Sequence, residues 1–196
     1  MIRPIVAYGT PVLKKKAESV QADTPNLTQL IDDMWETMYA SQGVGLAAPQ
    51  IGLSLRLFVI DAAPFASDDK LDPEEAAVLK SFKKVFINPK LISKDGALWG
   101  FTEGCLSIPD IREEVLRKAS IDIEYYDEKF QLHKEQFSGL AARVVQHEYD
   151  HIEGILFTDH LSPLKRRLLK NKLTAISKGA LSVDYPMKFP NKSKRN

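Results

Sequence analysis

Apolar residues recur at Leu27, Leu30, Ile31, Met34, Trp35, Met38 and Tyr39, steps of three and one that gather them on one helical face. Thr24 and Pro25 stand ahead of them as cap and first-turn proline, and Gly43 suits the stop. The stretch Gly43-Val44-Gly45-Leu46-Ala47-Ala48-Pro49-Gln50 is too broken by glycine and small residues for a helix or a central strand. Residues 55–60 read as a strand, and residues 62–80 as a polar, acidic excursion in which Asp72-Pro73-Glu74-Glu75 opens a short helix. Val85-Phe86-Ile87 is a second strand, ended by Asn88-Pro89, with a short candidate at 91–92. Residues 121–126 alternate apolar and acidic, Asp127-Glu128-Lys129 is a turn, and 130–136 return as a strand.

Ser138-Gly139 opens a second strong helix that carries Leu140, Val144, His147, Tyr149 and His151. Ser162-Pro163 opens a third, with Leu164, Leu168, Leu169, Leu173 and Ile176 on one side and cations elsewhere. The pattern predicts an α+β fold: small antiparallel sheets packed around a central helix bearing an HExxH motif, with a C-terminal helix. Residues 1–179 read as a single catalytic domain and 180–196 as a basic, loosely ordered tail.

Composition narrows the class. A hydrophobic fraction of 44% and a charged fraction of 27% exclude a disordered or collagen-like chain. The first ten residues lack an apolar secretory core, and no apolar run approaches the ~20 residues a membrane span needs, so a cytoplasmic protein without a membrane partner is expected. Charge is unevenly spread. Residues 163–196 hold ten Lys or Arg and one acid, against 17 and 25 in the first 162, so a body of −8 precedes a tail of +9. That separation suggests an anionic partner for the tail, although charge runs are as often solvated faces.

The strongest chemical signal is His147-Glu148-Tyr149-Asp150-His151. On a helix, positions four apart stack on one face, so both imidazoles reach one metal ion, and Glu148 reaches water bound to it. A catalytic metal usually takes three protein ligands and keeps one position open. Glu153 and His160 lie downstream but are poorly placed, Glu153 on the wrong side of the turn and His160 beyond the helix end. Cys105 is the better third ligand. It is the sole cysteine, so it has no internal disulfide partner, and it sits in Glu103-Gly104-Cys105-Leu106-Ser107. A buried apolar role remains the bland reading of that thiol.

Three segments together resemble the peptide deformylase family: residues 43–50, Glu103-Gly104-Cys105-Leu106-Ser107, and Gln146-His147-Glu148-Tyr149-Asp150-His151, in that order and spacing. The resemblance implies metal-dependent removal of the N-formyl group from the first methionine of new proteins, with release of formate. It implies Cys105, His147 and His151 as metal ligands and Glu148 as general acid and base. The Gln50 amide and the Leu106 N–H stabilise the oxyanion on this reading. Gly45 and Val44 meet the substrate backbone, and Leu140, Val144 and Phe101 line the methionine pocket, although Leu140 and Val144 are also spaced like core residues.

The implied cofactor is one Fe(II) per chain, for which Zn(II), Ni(II) or Co(II) substitutes. The implied partners are formyl-methionyl nascent peptides, with ribosome contact through the basic helix and tail and no nucleic acid needed for catalysis. Asp150 reads as a structural ion pair with Arg117 or Arg112, and Glu103 as a support behind the ligands. Residues 62–80 run longer than the compact bacterial pattern, so a different cleft rim is expected, and the segment after Gly179 is extra to that pattern and unassigned. A zinc endopeptidase is the enzymatic rival, and a nucleic-acid module built on the tail is the non-enzymatic one.

Overall fold

The computed structural model describes residues 1–190. In chain order the elements are β1 (Ile5–Val6), α1 (Leu27–Ala40), β2 (Gly45–Ala47), β3 (Leu57–Asp61), α2 (Pro73–Lys80), β4 (Lys83–Cys105), β5 (Ile108–Tyr126), β6 (Leu132–Ser138), α3 (Gly139–Ile152), α4 (Pro163–Ser177) and β7 (Met187–Lys188). Strands β2-β3-β4-β5-β6 form one antiparallel sheet in that order, and β1 pairs with β7 in parallel. The α+β expectation holds, with the small sheets merged into one. Among the described residues no helix is long and apolar enough to cross a membrane.

Helices cover both faces of the sheet. Phe58, Ile60 and Phe86 pack with Ala141, Val144 and Val145 of α3, whereas Leu57, Val59, Val85 and Ile87 pack with Ile31, Met34 and Met38 of α1. Period-two alternation therefore sends successive residues of β3 into different cores, which is why four consecutive apolar residues there are all buried. A third cluster joins Leu13, Ile108, Val115 and Phe157 to Leu169, Leu173 and Ile176 of α4.

Several expectations need correction. α1 opens at Leu27 rather than at Thr24-Pro25, because the Thr24 hydroxyl accepts from the Gln21 N–H at 3.0 Å and Asn26 takes the cap with φ 58°. The strand at 85–87 does not end at Asn88-Pro89. Asn88, at φ 49°, makes an irregularity in the ladder while its amide pairs with both backbone groups of Val20 at 2.8 Å, and β4 runs on to Cys105. Leu164 and Leu168 are exposed, 68% and 72%, while Leu169, Leu173 and Ile176 form the buried stripe of α4. The segment after Gly179 is not loose as far as it is described. It returns to the N-terminus, with Ile5 N–H donating to Pro186 O and Ala7 N–H to Lys188 O, each at 2.8 Å. The basic residues Lys192, Lys194 and Arg195 lie outside the described residues.

The excursion at 62–80 supports α3. The Asp72 side chain accepts from the Glu74 N–H and starts α2, and α2 brings Glu75 to the first turn of α3. There the Leu140 N–H donates to Glu75 Oε1 at 2.7 Å, since Ser138 makes no side-chain cap. A carboxylate at that end satisfies a free amide and opposes the positive end of the helix dipole. Glu75→Ala is expected to destabilise the fold by about 1 kcal/mol, read as a lower urea midpoint at unchanged slope.

Candidate metal centre

Helix α3 places His147 and His151 one turn apart, and the end of β4 brings Cys105 to them. One ligand atom from each of Cys105, His147 and His151 lies within 4.8 Å of the others. Cys105 Sγ is 3.3 Å from His151 Nε2. Metal–sulfur and metal–nitrogen bonds of ordinary length at a tetrahedral angle separate the two donor atoms by roughly 3.5 Å, so the pair fits a shared ion. Burial would push the Cys105 thiol up, but the imidazoles of His151 and His147 outweigh it and hold it down at about 5. A thiolate ready to ligate is the consequence. Burial alone would lower His147, but the Cys105 thiolate and Glu103 hold it well above its ordinary value. Glu153 pairs with Arg56 at 2.7 Å and His160 with Asp150 at 2.7 Å, so neither downstream candidate joins the cluster.

Behind the ligands stands a buried ionic network. Glu103 accepts from Arg117 Nε at 2.7 Å and Nη2 at 2.9 Å, from Arg143 Nη1 at 3.0 Å, and pairs with His147 Nδ1 at 2.8 Å. Burial would raise Glu103, yet Arg117 and His147 hold it well below the carboxylate range. Its contact with Nδ1 leaves Nε2 of His147 for a metal and fixes the ring. Arg117 also reaches Asp150 at 2.6 Å, so of the two arginines expected there it is Arg117 that pairs.

Glu148 is 4% exposed and its Oε2 has no hydrogen-bond partner among the described residues. Burial raises its pKa against the pull of His147 and His151. An isolated buried carboxylate costs stability, and its retention beside the cluster fits a group that exchanges a proton. Strand β2 passes directly over it. A Cβ on Gly45 would fall 2.8 Å from Glu148 Cδ and 2.9 Å from Cγ. Gly45→Ala is therefore expected to displace the carboxylate and lower kcat about ten- to a hundredfold with metal content unchanged, which steady-state kinetics beside metal analysis would check.

Gln50 lies in the 3₁₀ turn after β2. Its Oε1 accepts from the Ala47 N–H at 2.8 Å, which turns Nε2 toward Cys105 Sγ at 3.4 Å. Leu106 follows Cys105 in the turn between β4 and β5, and its carbonyl accepts from the Tyr185 hydroxyl at 2.8 Å. A cleft of about 610 Å³ opens onto these groups, lined by Val44, Gly45, Gln50, Phe101, Cys105, Leu106, Val144, His147 and Glu148. Leu140 is not on its wall. It is 6% exposed and packs in the core between α3 and the sheet. Phe65, from the excursion, lines the cleft and meets Phe101 edge-on at 6.2 Å.

Sequence reasoning missed Arg143 and Gln146. Arg143 lies 4.3 Å over the Trp99 ring and bonds the carbonyls of Val115 and Trp99, while Gln146 ties α3 to Lys118 O of β5 at 3.0 Å. An arginine in the otherwise apolar Leu140-Ala141-Ala142-Arg143-Val144-Val145 run was the available signal.

Residues 2–167 match the family model described as polypeptide deformylase. A protein of Christiangramia forsetii named peptide deformylase is 61% identical over 194 residues, 99% of each chain. Among solved structures, the peptide deformylase of Thermus thermophilus superposes with a TM-score of 0.78 at 39% identity, covering 92% of this chain and all of that one. The peptide deformylase of Legionella pneumophila gives 0.76 at 38%, covering 92% and 98%. A thiol and two imidazoles converging beside an unpartnered carboxylate thus sit in a chain that matches these proteins almost end to end, and it belongs to the polypeptide deformylase family.

Proposed function

We propose that this chain holds one Fe(II) ion on Cys105, His147 and His151 and uses Glu148 as the proton carrier in deformylation. Removal of the N-formyl group from nascent peptides is the activity of the family to which the chain belongs. The observation that carries the residue assignment is the compact Cys105–His147–His151 cluster. The unpartnered Glu148 carboxylate supports it.

When bound, the metal lowers the pKa of a water toward neutrality and polarises the formyl carbonyl. Glu148 accepts the water's proton, and the hydroxide adds to the formyl carbon. As the carbonyl oxygen gains charge, Gln50 Nε2 and the Leu106 N–H donate to it, each such donor typically contributing about 3–4 kcal/mol. Glu148 returns the proton to the leaving amine, the C–N bond breaks, and formate and a free N-terminus result. The Gly45 carbonyl and Val44 meet the substrate backbone along β2. Val144, Phe101 and Phe65 line the methionine site.

Iron suits one thiolate and two imidazoles, and Zn(II), Ni(II) or Co(II) satisfies the same donors. The reaction belongs in the cytoplasm, where chains emerge from the ribosome. Contact with the ribosome runs through α4, whose Lys165, Arg166, Arg167, Lys170 and Lys172 are exposed. Residues 1–179 carry the catalysis as one domain.

The test is release of formate from formyl-Met-Ala-Ser under anaerobic conditions, by protein loaded with Fe(II) or with Zn(II). Turnover with Fe(II), abolished by a chelator and restored by metal, is expected. Folded, metal-loaded protein that stays inert on formyl peptides would sink the assignment.

A further inference from the structure

The segment after α4 takes no part in the reaction derived above, yet it borders the cleft. Ser182, Val183, Asp184 and Tyr185 line it beside Ile108 and Pro109. The segment is anchored at both ends. Upstream, Gly179 closes α4 at φ 72° with the Phe189 ring against it, where a Cβ would come within 3.2 Å. Downstream, β7 is zipped to β1, with Met187 and Phe189 packed against buried clusters. Between these anchors the Tyr185 hydroxyl donates to the Leu106 carbonyl at 2.8 Å, across 79 residues of sequence.

The turn at Leu106 and Ser107 joins β4 to β5 and delivers both Cys105 and Leu106. Its two carbonyls are held from outside. Ser107 O accepts from the Tyr8 N–H at 2.9 Å, and Leu106 O accepts from Tyr185. Tyr8 follows β1 and Tyr185 precedes β7, so the two-stranded ribbon joining the chain's ends anchors the turn through both.

We propose that Tyr185 is a positioning residue for deformylation: its hydroxyl, presented by the C-terminal strap, holds the Leu106 carbonyl and so restrains the Leu106 Cα through which the adjoining Cys105–Leu106 peptide, bearing the Leu106 N–H, is aimed. This rests on the reading of Leu106 as an oxyanion donor. Donors aimed before the reaction need no reorganisation when charge develops, so the anchor acts on the chemical step rather than on substrate binding.

The experiment compares Tyr185→Phe with wild type, both full length and Fe(II)-loaded, on formyl-Met-Ala-Ser. The phenyl ring keeps the packing and only the hydroxyl is lost. Expected are a kcat about tenfold lower, a KM within about twofold and an unchanged metal content. Hydrogen exchange across residues 105–108 should also speed up about tenfold. An unchanged kcat overturns the proposal. A higher KM at constant kcat also overturns it, making Tyr185 a substrate contact. Loss of metal does so by routing the effect through Cys105, and unaltered exchange does so by showing that the turn needs no anchor. An inert wild type would instead remove the functional reading on which the proposal stands, so the two failures are separable.

Discussion

Glu148→Gln is expected to lower kcat by about three orders of magnitude while the metal stays bound and KM barely moves. The substitution keeps the shape of the side chain and removes its ability to take a proton. None of Cys105, His147 or His151 is touched. The loss is equivalent to about 4 kcal/mol of transition-state stabilisation. Stability should move the other way. Glu148 is buried, one of its oxygens has no partner among the described residues, and its pKa is raised. With the folded value above the unfolded one, the folded state binds the proton more readily. The carboxylate's cost is therefore absent in acid and grows as pH rises above 4.5 and through the raised value. Metal-free Glu148→Gln should consequently melt at or above wild type at pH 8, with the gap closing near pH 4. A variant that melted lower at pH 8 would contradict the view of Glu148 as a group kept against stability. A kcat within tenfold of wild type would remove it from the proton path.

Local chemistry made the site more legible than the sheet that carries it. The HExxH spacing and the lone cysteine required only helical geometry and ligand chemistry to be read together, and Cys105, His147 and His151 do converge. The excursion helix was legible from Asp72-Pro73, because a cap and a first-turn proline act within one turn. The long β4–β5 hairpin was not. Residues 94–98 hold Lys94, Asp95 and Gly96 and stand in solvent, where no apolar alternation marks a strand, while Trp99, Phe101 and Glu103 are held by Arg143, Phe65 and Arg117, all distant in sequence. Pro89 and Asn88 signalled a stop that Val20, far off in sequence, converts into an irregularity within a continuing strand. Leu140 was placed in the pocket by resemblance although its spacing fitted a core residue, and facing cannot be told from periodicity where α3 is buried nearly all round. The C-terminal strap failed for the same reason: its contacts are with β1 and with Leu106, and nothing within residues 180–190 announces either.

Glu103→Ala is expected to be the most destabilising single change near the site, by about 3–5 kcal/mol, because it leaves buried cations without their counter-charge. Arg117 and Arg143 are 4% and 2% exposed, and together they direct three N–H groups at Glu103. Asp150 still faces Arg117, but among the described residues Arg143 keeps no carboxylate partner, just the carbonyls of Val115 and Trp99 and the Trp99 ring. For a chain of this length the loss corresponds to a fall in Tm of roughly 10 °C or more. The pH dependence follows from the lowered Glu103 pKa. Its stabilisation is fully present above its unfolded value of 4.5 and is lost as pH falls toward the folded value. The gap between wild type and variant should therefore be widest near neutrality and shrink in acid. His147 also loses the carboxylate at Nδ1 that fixes its ring, so metal affinity should drop about 10–100-fold even where the fold survives. Thermal melts from pH 3 to 8 and competition with a metal chelator would separate the two effects. A variant that lost metal affinity with no change in Tm would make Glu103 an orienting group alone. One that lost stability with affinity intact would show that α3 packing, not this contact, holds the His147 ring.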